Sequence, residues 1–87
     1  MWYAVDIDDG IIAEYETKRD AILSHSEGGG AKKLAAGVYE TRSESSLYSV
    51  TTFIINSSAR DNAELLGFGW VFEEETIRKY EEIKGLF

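Results

Sequence analysis

The sequence predicts a small α+β domain with an antiparallel sheet of four strands, a candidate fifth strand and two to three helices, in the order ββα–ββ–αα. Three observations favour this fold class. A turn signal at Asp8-Asp9-Gly10 lies between alternating apolar segments, residues 47–55 are rich in β-branched and aromatic types, and residues 73–84 repeat apolar positions at helical spacing. The 87 residues make one domain, 1–87, because domains rarely fall below about 50 residues.

The first two strands form a predicted hairpin whose register can be argued from its apolar pattern. A three-residue loop with Gly10 in the left-handed region pairs Ile7 with Ile11. That register places six apolar side chains on one face of the hairpin: Tyr3, Val5, Ile7, Ile11, Ala13 and Tyr15. The opposite face then carries the acids Asp6, Glu14 and Glu16.

A helix is expected after this hairpin, followed by two more strands. Thr17 is a suitable N-cap, and the helix is expected to continue to about Glu27, where Gly28-Gly29-Gly30 ends it. Its inward-facing residues are expected to be Ala21, Ile22 and either His25 or Ser26. Residues 33–42 and 47–55 are predicted strands joined by a loop at 43–46. The second of these strands is expected at the centre of the sheet, because its β-branched and aromatic residues suit a position covered on both sides.

The remaining chain predicts one short helix and one longer helix. Residues 56–58 offer capping side chains for a helix that ends at Gly67, with Ala63 and Leu66 facing inward. Residues 68–72 are consistent with either a fifth strand or a buried connector. The last helix begins with Glu73, Glu74 and Glu75 in its first turn, where carboxylates favour the positive end of the helix dipole, and Gly85 is a suitable residue to end it.

Composition and charge exclude several classes of function. The chain has 16 acidic residues against 9 basic ones, a net charge of −7, and no cysteine. The acidity argues against a protein that binds duplex DNA or an anionic membrane. The lack of cysteine removes disulfides and thiolate chemistry, and a single histidine leaves little for a metal site, so no cofactor is expected. With no basic signal-peptide start and no apolar run of about 20 residues, a cytoplasmic location is expected.

Three candidate catalytic motifs have simpler structural interpretations. Residues 6–10, Asp-Ile-Asp-Asp-Gly, resemble the first motif of haloacid-dehalogenase phosphatases, in which a carboxylate attacks phosphorus. Asp9 precedes the glycine and Ile11 replaces threonine, so turn formation is preferred. The glycines at 28–30 precede a Lys pair but lack the order of a phosphate-binding loop. His25 could serve a small ligand-binding or hydrolase domain, but its predicted place in a last helical turn, where the dipole favours an imidazolium, gives a structural role.

Aromatic and acidic residues carry the functional hypothesis. Eleven aromatic residues exceed what a small core buries, and Tyr and Trp are common at protein interfaces. Rows of carboxylates on a rigid helix can imitate nucleic-acid phosphates. The candidate protein-binding residues are Glu73, Glu74, Glu75, Glu81, Glu82, Trp70, Tyr39, Tyr48 and Glu40.

In size, negative charge and compact α+β architecture, the chain resembles small inhibitor proteins that phages and mobile elements encode, anti-CRISPR proteins among them. That resemblance implies a non-catalytic module that occupies a basic nucleic-acid-binding surface of a host protein. No direct contact with nucleic acid or membrane is expected. The alternative is a structural domain that forms a homodimer through a strand edge or through Leu86-Phe87.

Overall fold

A five-stranded antiparallel sheet organises the chain in the computed structural model, which describes residues 1–6, 9–44 and 49–68. The strands are β1 (Trp2–Asp6), β2 (Gly10–Tyr15), β3 (Ala31–Ala35), β4 (Val38–Glu44) and β5 (Ser49–Asn56). The helices are α1 (Lys18–His25) and α2 (Arg60–Leu65), with 3₁₀ turns at Glu27–Gly29 and Ser57–Ala59. The strand order is β2-β1-β5-β4-β3, so the predicted α+β class and the central position of β5 are confirmed.

The sheet buries apolar side chains on both of its faces. Consecutive residues of a strand point to opposite faces, and in β5 this sends Ile54 and Ile55 into different clusters. Ile54 packs with Ala4 and with Ala21 of α1 on one face, here called the α1 face. Ile55 packs with other buried side chains on the second face, here called the α2 face: Val5, Ile11, Val38, Ala59, Ala63 and Phe68. Each face of the central strand is therefore covered by a helix, which accounts for its continuous apolar run.

The prediction of a single strand over 33–42 is wrong, because the chain reverses within that range. Ala35 pairs with Val38, so Ala36 and Gly37 form the turn between β3 and β4. Gly37 has φ 75°, a conformation that a residue with a Cβ adopts only with strain. The fifth strand of the sheet thus comes from this division. The predicted fifth strand at 68–72 is not tested, because 69–72 lie outside the described residues.

The predicted register of the first hairpin is also wrong. Val5 pairs with Ile11 and Ala4 with Ala13, so Ile12 is an extra residue in β2 and forms a β-bulge. The bulge moves the side chains that follow it to the opposite face of the sheet. Val5 and Ile11 therefore lie on the α2 face, whereas Ala13 and Tyr15 lie on the α1 face. The expectation that Gly10 is left-handed is confirmed by its φ of 84°.

The helices follow their predicted caps more closely than their predicted lengths. Thr17 Oγ1 accepts a hydrogen bond from the Asp20 backbone N–H at 3.2 Å, which confirms the N-cap. Helix α1 ends at His25, two residues earlier than expected, and Gly28 follows with φ 79°. In the second helical segment Ala63 is fully buried as predicted, but Leu66 is 43% exposed and does not face inward. The expected last helix, beginning at residue 73, lies outside the described residues.

Candidate functional site

A groove of about 380 Å³ crosses the end of the sheet where β1 begins and β5 finishes. Trp2 and Tyr39 form one wall, with ring centroids 6.1 Å apart and ring planes tilted by 50°. Lys18, the first residue of α1, brings its ammonium group to 4.8 Å from the centre of the Tyr39 ring and 3.4 Å from the Tyr39 hydroxyl. In the part that the structure describes, the groove therefore combines two half-buried aromatic rings with one cation.

Close backbone packing holds the opposite wall of the groove in place. The Asn56 backbone N–H donates to the Gly37 carbonyl at 2.8 Å, and the Asn62 side-chain amide donates to the Ala36 carbonyl at 3.0 Å. A Cβ at Gly37 would lie only 2.6 Å from the Cβ of Ala59. The turn between β3 and β4 is therefore fixed against the 3₁₀ turn that follows β5, and this contact determines the shape of the groove.

The polar lining of the groove is uncharged apart from Lys18 among the residues that the structure describes. Asn56 Oδ1 accepts hydrogen bonds from the Ser58 backbone N–H and the Ser58 hydroxyl, at 2.8 Å and 2.6 Å. Among the described residues, the amide nitrogen of Asn56 has no hydrogen-bond acceptor. This described lining holds no carboxylate, although the chain has a net charge of −7.

The opposite end of the sheet, here called the acidic end, holds the carboxyl ends of β1 and β4. The strand register places Asp6 and Glu44 at this end, because Val5 pairs with Phe53 and Glu44 with Ser49. Asp9 lies in the turn after β1, and Glu27 accepts a hydrogen bond from the Glu44 backbone N–H at 3.1 Å. One described cation, Arg42, lies beside Glu27 and Glu44 in a shallow groove.

The charge of the described residues is concentrated at the acidic end. The described part of the chain has ten acidic and six basic side chains. Four acids and one base lie at the acidic end, and six acids and five bases are distributed over the rest. Between two described residues, the one ion pair within salt-bridge distance is Arg60–Glu64, at 3.2 Å on the exposed side of α2.

His25 contacts an aromatic hydroxyl rather than a serine or a carboxylate in the described structure. Its Nε2 lies 2.8 Å from the Tyr15 hydroxyl, and the two rings meet edge to face with centroids 5.6 Å apart. Burial lowers the pKa of His25 from its ordinary value of 6.5. The position in the last turn of α1 is as predicted, and the lowered pKa is the direction that desolvation gives, opposite to the one that the helix dipole favours.

Two of the predicted protein-binding residues fall in the described chain, and they lie on opposite faces of the sheet. Tyr39 packs on the α1 face, and Glu40 is the next residue of β4 and lies opposite Lys32 on the α2 face. They do not form one patch. The other predicted residues lie outside the described ranges: Tyr48, Trp70, Glu73, Glu74, Glu75, Glu81 and Glu82.

Trp2 and Lys18 were not predicted as site residues from the sequence. Strand alternation could have placed Trp2 on the same face as Ala4, but Tyr39 comes beside it because β1 and β4 pair with the two sides of β5. Within the described residues, no group of three potential ligands is arranged to hold a metal ion, and no helix has the length and hydropathy needed to cross a membrane. No protein-family model, curated protein or solved structure gives a significant match to the chain.

Proposed function

We propose that this chain is a non-catalytic protein-binding module that presents its acidic end to a basic surface of a partner protein. The observation that carries the proposal is the uneven distribution of charge. Four of the ten described carboxylates lie at the acidic end with a single described base, Arg42, whereas acids and bases nearly balance elsewhere. A surface of one sign steers a partner of opposite sign during encounter.

The carboxylates of the acidic end are held in fixed positions, which suits a role in binding a partner better than a role in solubility alone. Asp6 ends a strand that is paired on both sides, and its carboxylate accepts a hydrogen bond from the Asp9 backbone N–H at 3.1 Å. Glu27 is held against the backbone of Glu44. Side chains that are already ordered lose less conformational entropy when a partner binds.

The most concrete form of the proposal is an inhibitor of phage or mobile-element type that acts in the cytoplasm. Its carboxylates would take the place of nucleic-acid phosphates on a basic channel of a host protein, as anti-CRISPR proteins of similar size and charge can do. Support comes from the negative charge of the whole chain, −7, and from its concentration at one end of the described sheet. Binding of this kind weakens strongly as salt increases.

The test uses a partner captured on the immobilised chain, purified, and then titrated at salt concentrations of about 50 mM and 500 mM. Asp9→Lys with Glu44→Lys reverses two charges at the acidic end. Glu16→Lys with Asp61→Lys is the matched control, because it changes the net charge equally at exposed positions elsewhere. We expect a large loss of affinity for the first pair, a small one for the control, and displacement of the chain by nucleic acid.

Two results would count against this proposal. Affinity that does not change with salt would indicate an apolar interface and remove the electrostatic argument. An equal loss for both double variants would show that overall charge, rather than the acidic end, determines binding. Light scattering over a dilution series separately tests the homodimer alternative, in which a two-fold contact centred on β3 would bring Lys33 against its own copy, an unfavourable arrangement.

A further inference from the structure

We propose that the groove between Trp2, Tyr39 and Lys18 is a binding site for a small organic carboxylate that carries an aromatic ring. The groove lies at the end of the sheet opposite to the acidic end, so this proposal does not depend on the function proposed above. Its volume of about 380 Å³ falls within the range of about 300–1,000 Å³ that is typical of small-ligand sites.

The charge of the lining specifies an anionic ligand. Lys18 is the one charged side chain among the described lining residues, and no carboxylate of the described chain pairs with it. Its ammonium group contacts the ring and hydroxyl of Tyr39, which positions the cation, and no carboxylate of the described residues neutralises its charge. In a protein with 16 acidic residues, a cation without a described acidic neighbour at a concave surface attracts a carboxylate.

The donors of the opposite wall support the same ligand class. Asn56 lines the groove, and both donors of Ser58 bond to its Oδ1. The amide nitrogen of Asn56 has no acceptor among the described residues. A carboxylate accepts hydrogen bonds with both of its oxygens, so it can use an ammonium group and an amide N–H together. A phosphate would need more cations than this lining offers, because its charge is higher.

The aromatic wall specifies a planar ring next to the carboxylate. The Trp2 and Tyr39 rings are tilted by 50° with centroids 6.1 Å apart, so they form an open angle rather than a closed stack. A third ring can contact both in offset or edge-to-face geometry, which aromatic groups prefer. The ligand therefore places its ring against Trp2 and Tyr39 and directs its carboxylate toward Lys18 and Asn56.

The experiment is a titration of the ¹⁵N-labelled protein with phenylacetate, followed by amide and side-chain NMR shifts. Saturable changes are expected at the Trp2 indole and the Asn56 side-chain amide, with a dissociation constant in the millimolar range because the ligand is small. Phenylacetamide keeps the ring and size but removes the charge, and acetate keeps the charge but removes the ring. Both should bind about three- to fivefold more weakly than phenylacetate, as expected for one exposed charge or one ring contact.

Lys18→Gln and its control separate a specific site from general attraction. Lys18→Gln should weaken phenylacetate binding about three- to fivefold. Lys33→Gln removes the same charge at an exposed position that does not line the groove, so it should have no effect. Equal binding by the two variants, equal binding of phenylacetate and phenylacetamide, or the lack of saturable shifts at Trp2 would each overturn the proposal. The spectrum of each variant also reports whether it is folded.

Discussion

Substituting Gly37 by alanine tests the contact that fixes the groove against the end of β5. The new Cβ would lie 2.6 Å from the Cβ of Ala59, which is far inside van der Waals contact. The backbone cannot move away freely, because the Gly37 carbonyl accepts a 2.8 Å hydrogen bond from Asn56. Gly37→Ala should therefore lower the free energy of unfolding through two separate effects, a steric clash and a strained φ.

The magnitude follows from adding those two effects. A left-handed conformation costs a non-glycine residue about 1–2 kcal/mol. Part of that cost is offset, because alanine reduces the entropy of the unfolded chain by about 0.4–1 kcal/mol relative to glycine. Overpacking against Ala59 adds about 1–3 kcal/mol. The expected loss is about 2–4 kcal/mol, a large share of the roughly 5–15 kcal/mol typical of small domains.

Urea unfolding followed by circular dichroism measures this loss, and two further variants identify its cause. Gly28 has φ 79° but nothing within 4 Å of its ideal Cβ, so Gly28→Ala should cost only the conformational part, about 1 kcal/mol. Ala59→Gly removes the clashing methyl, so the double variant should be more stable than the sum of the single effects predicts, by about 1–3 kcal/mol. Equal losses at Gly37 and Gly28, or strict additivity with Ala59→Gly, would refute the steric argument.

Three further predictions concern the burial of His25 and the hydrogen bonds of Thr17 and Thr41. Because burial lowers the pKa of His25 below 6.5, the unfolded chain takes up a proton first as the pH falls through 6.5. The urea midpoint should therefore fall more between about pH 7.5 and pH 5.5 in the native chain than in His25→Gln; parallel curves would contradict this. Thr17→Ala removes the cap on Asp20 and should cost about 1 kcal/mol in urea unfolding, whereas Thr17→Ser should retain most of it. Thr41, 1% exposed, donates to the Thr52 carbonyl at 2.8 Å, so Thr41→Val should lower the unfolding free energy by about 1 kcal/mol; unchanged stability would show that the bond contributes nothing net.

Local signals in the sequence predicted the elements of this fold better than their pairing. Thr17 acts as a cap through its own side chain and the next turn, so the start of α1 could be inferred from neighbouring residues alone. The hairpin register depends instead on the bulge at Ile12, which lets β2 supply apolar side chains to both faces of the sheet. A pattern with period two cannot reveal that change of face, because it assumes that one face is polar.

The missed turn at Ala36-Gly37 has the same kind of cause. The residues on both sides of it have strand character, and a single glycine inside a strand pattern can indicate either a bulge or a reversal. The close contact with Ala59, which is 22 positions further along the chain, goes with a reversal at this glycine. The residues near Gly37 in the sequence do not indicate that contact. The groove depends on the same turn, so the fold and the candidate site had to be missed together.

The positions of Tyr39 and Glu40 show why counts of aromatic and acidic residues predict a kind of function but not a surface. The two residues are adjacent, yet the pleat of β4 directs them to opposite faces, where one joins the groove and the other lies opposite Lys32 in the register of β3 and β4. The acidic end and the groove are in turn separated by the length of β1, about 13 Å for five residues. A partner that covers the acidic end can therefore leave Trp2 and Lys18 open. Because the two proposals use different ends of one rigid sheet, charge reversal at Asp9 and Glu44 should leave phenylacetate binding intact, and Lys18→Gln should leave the basic partner bound.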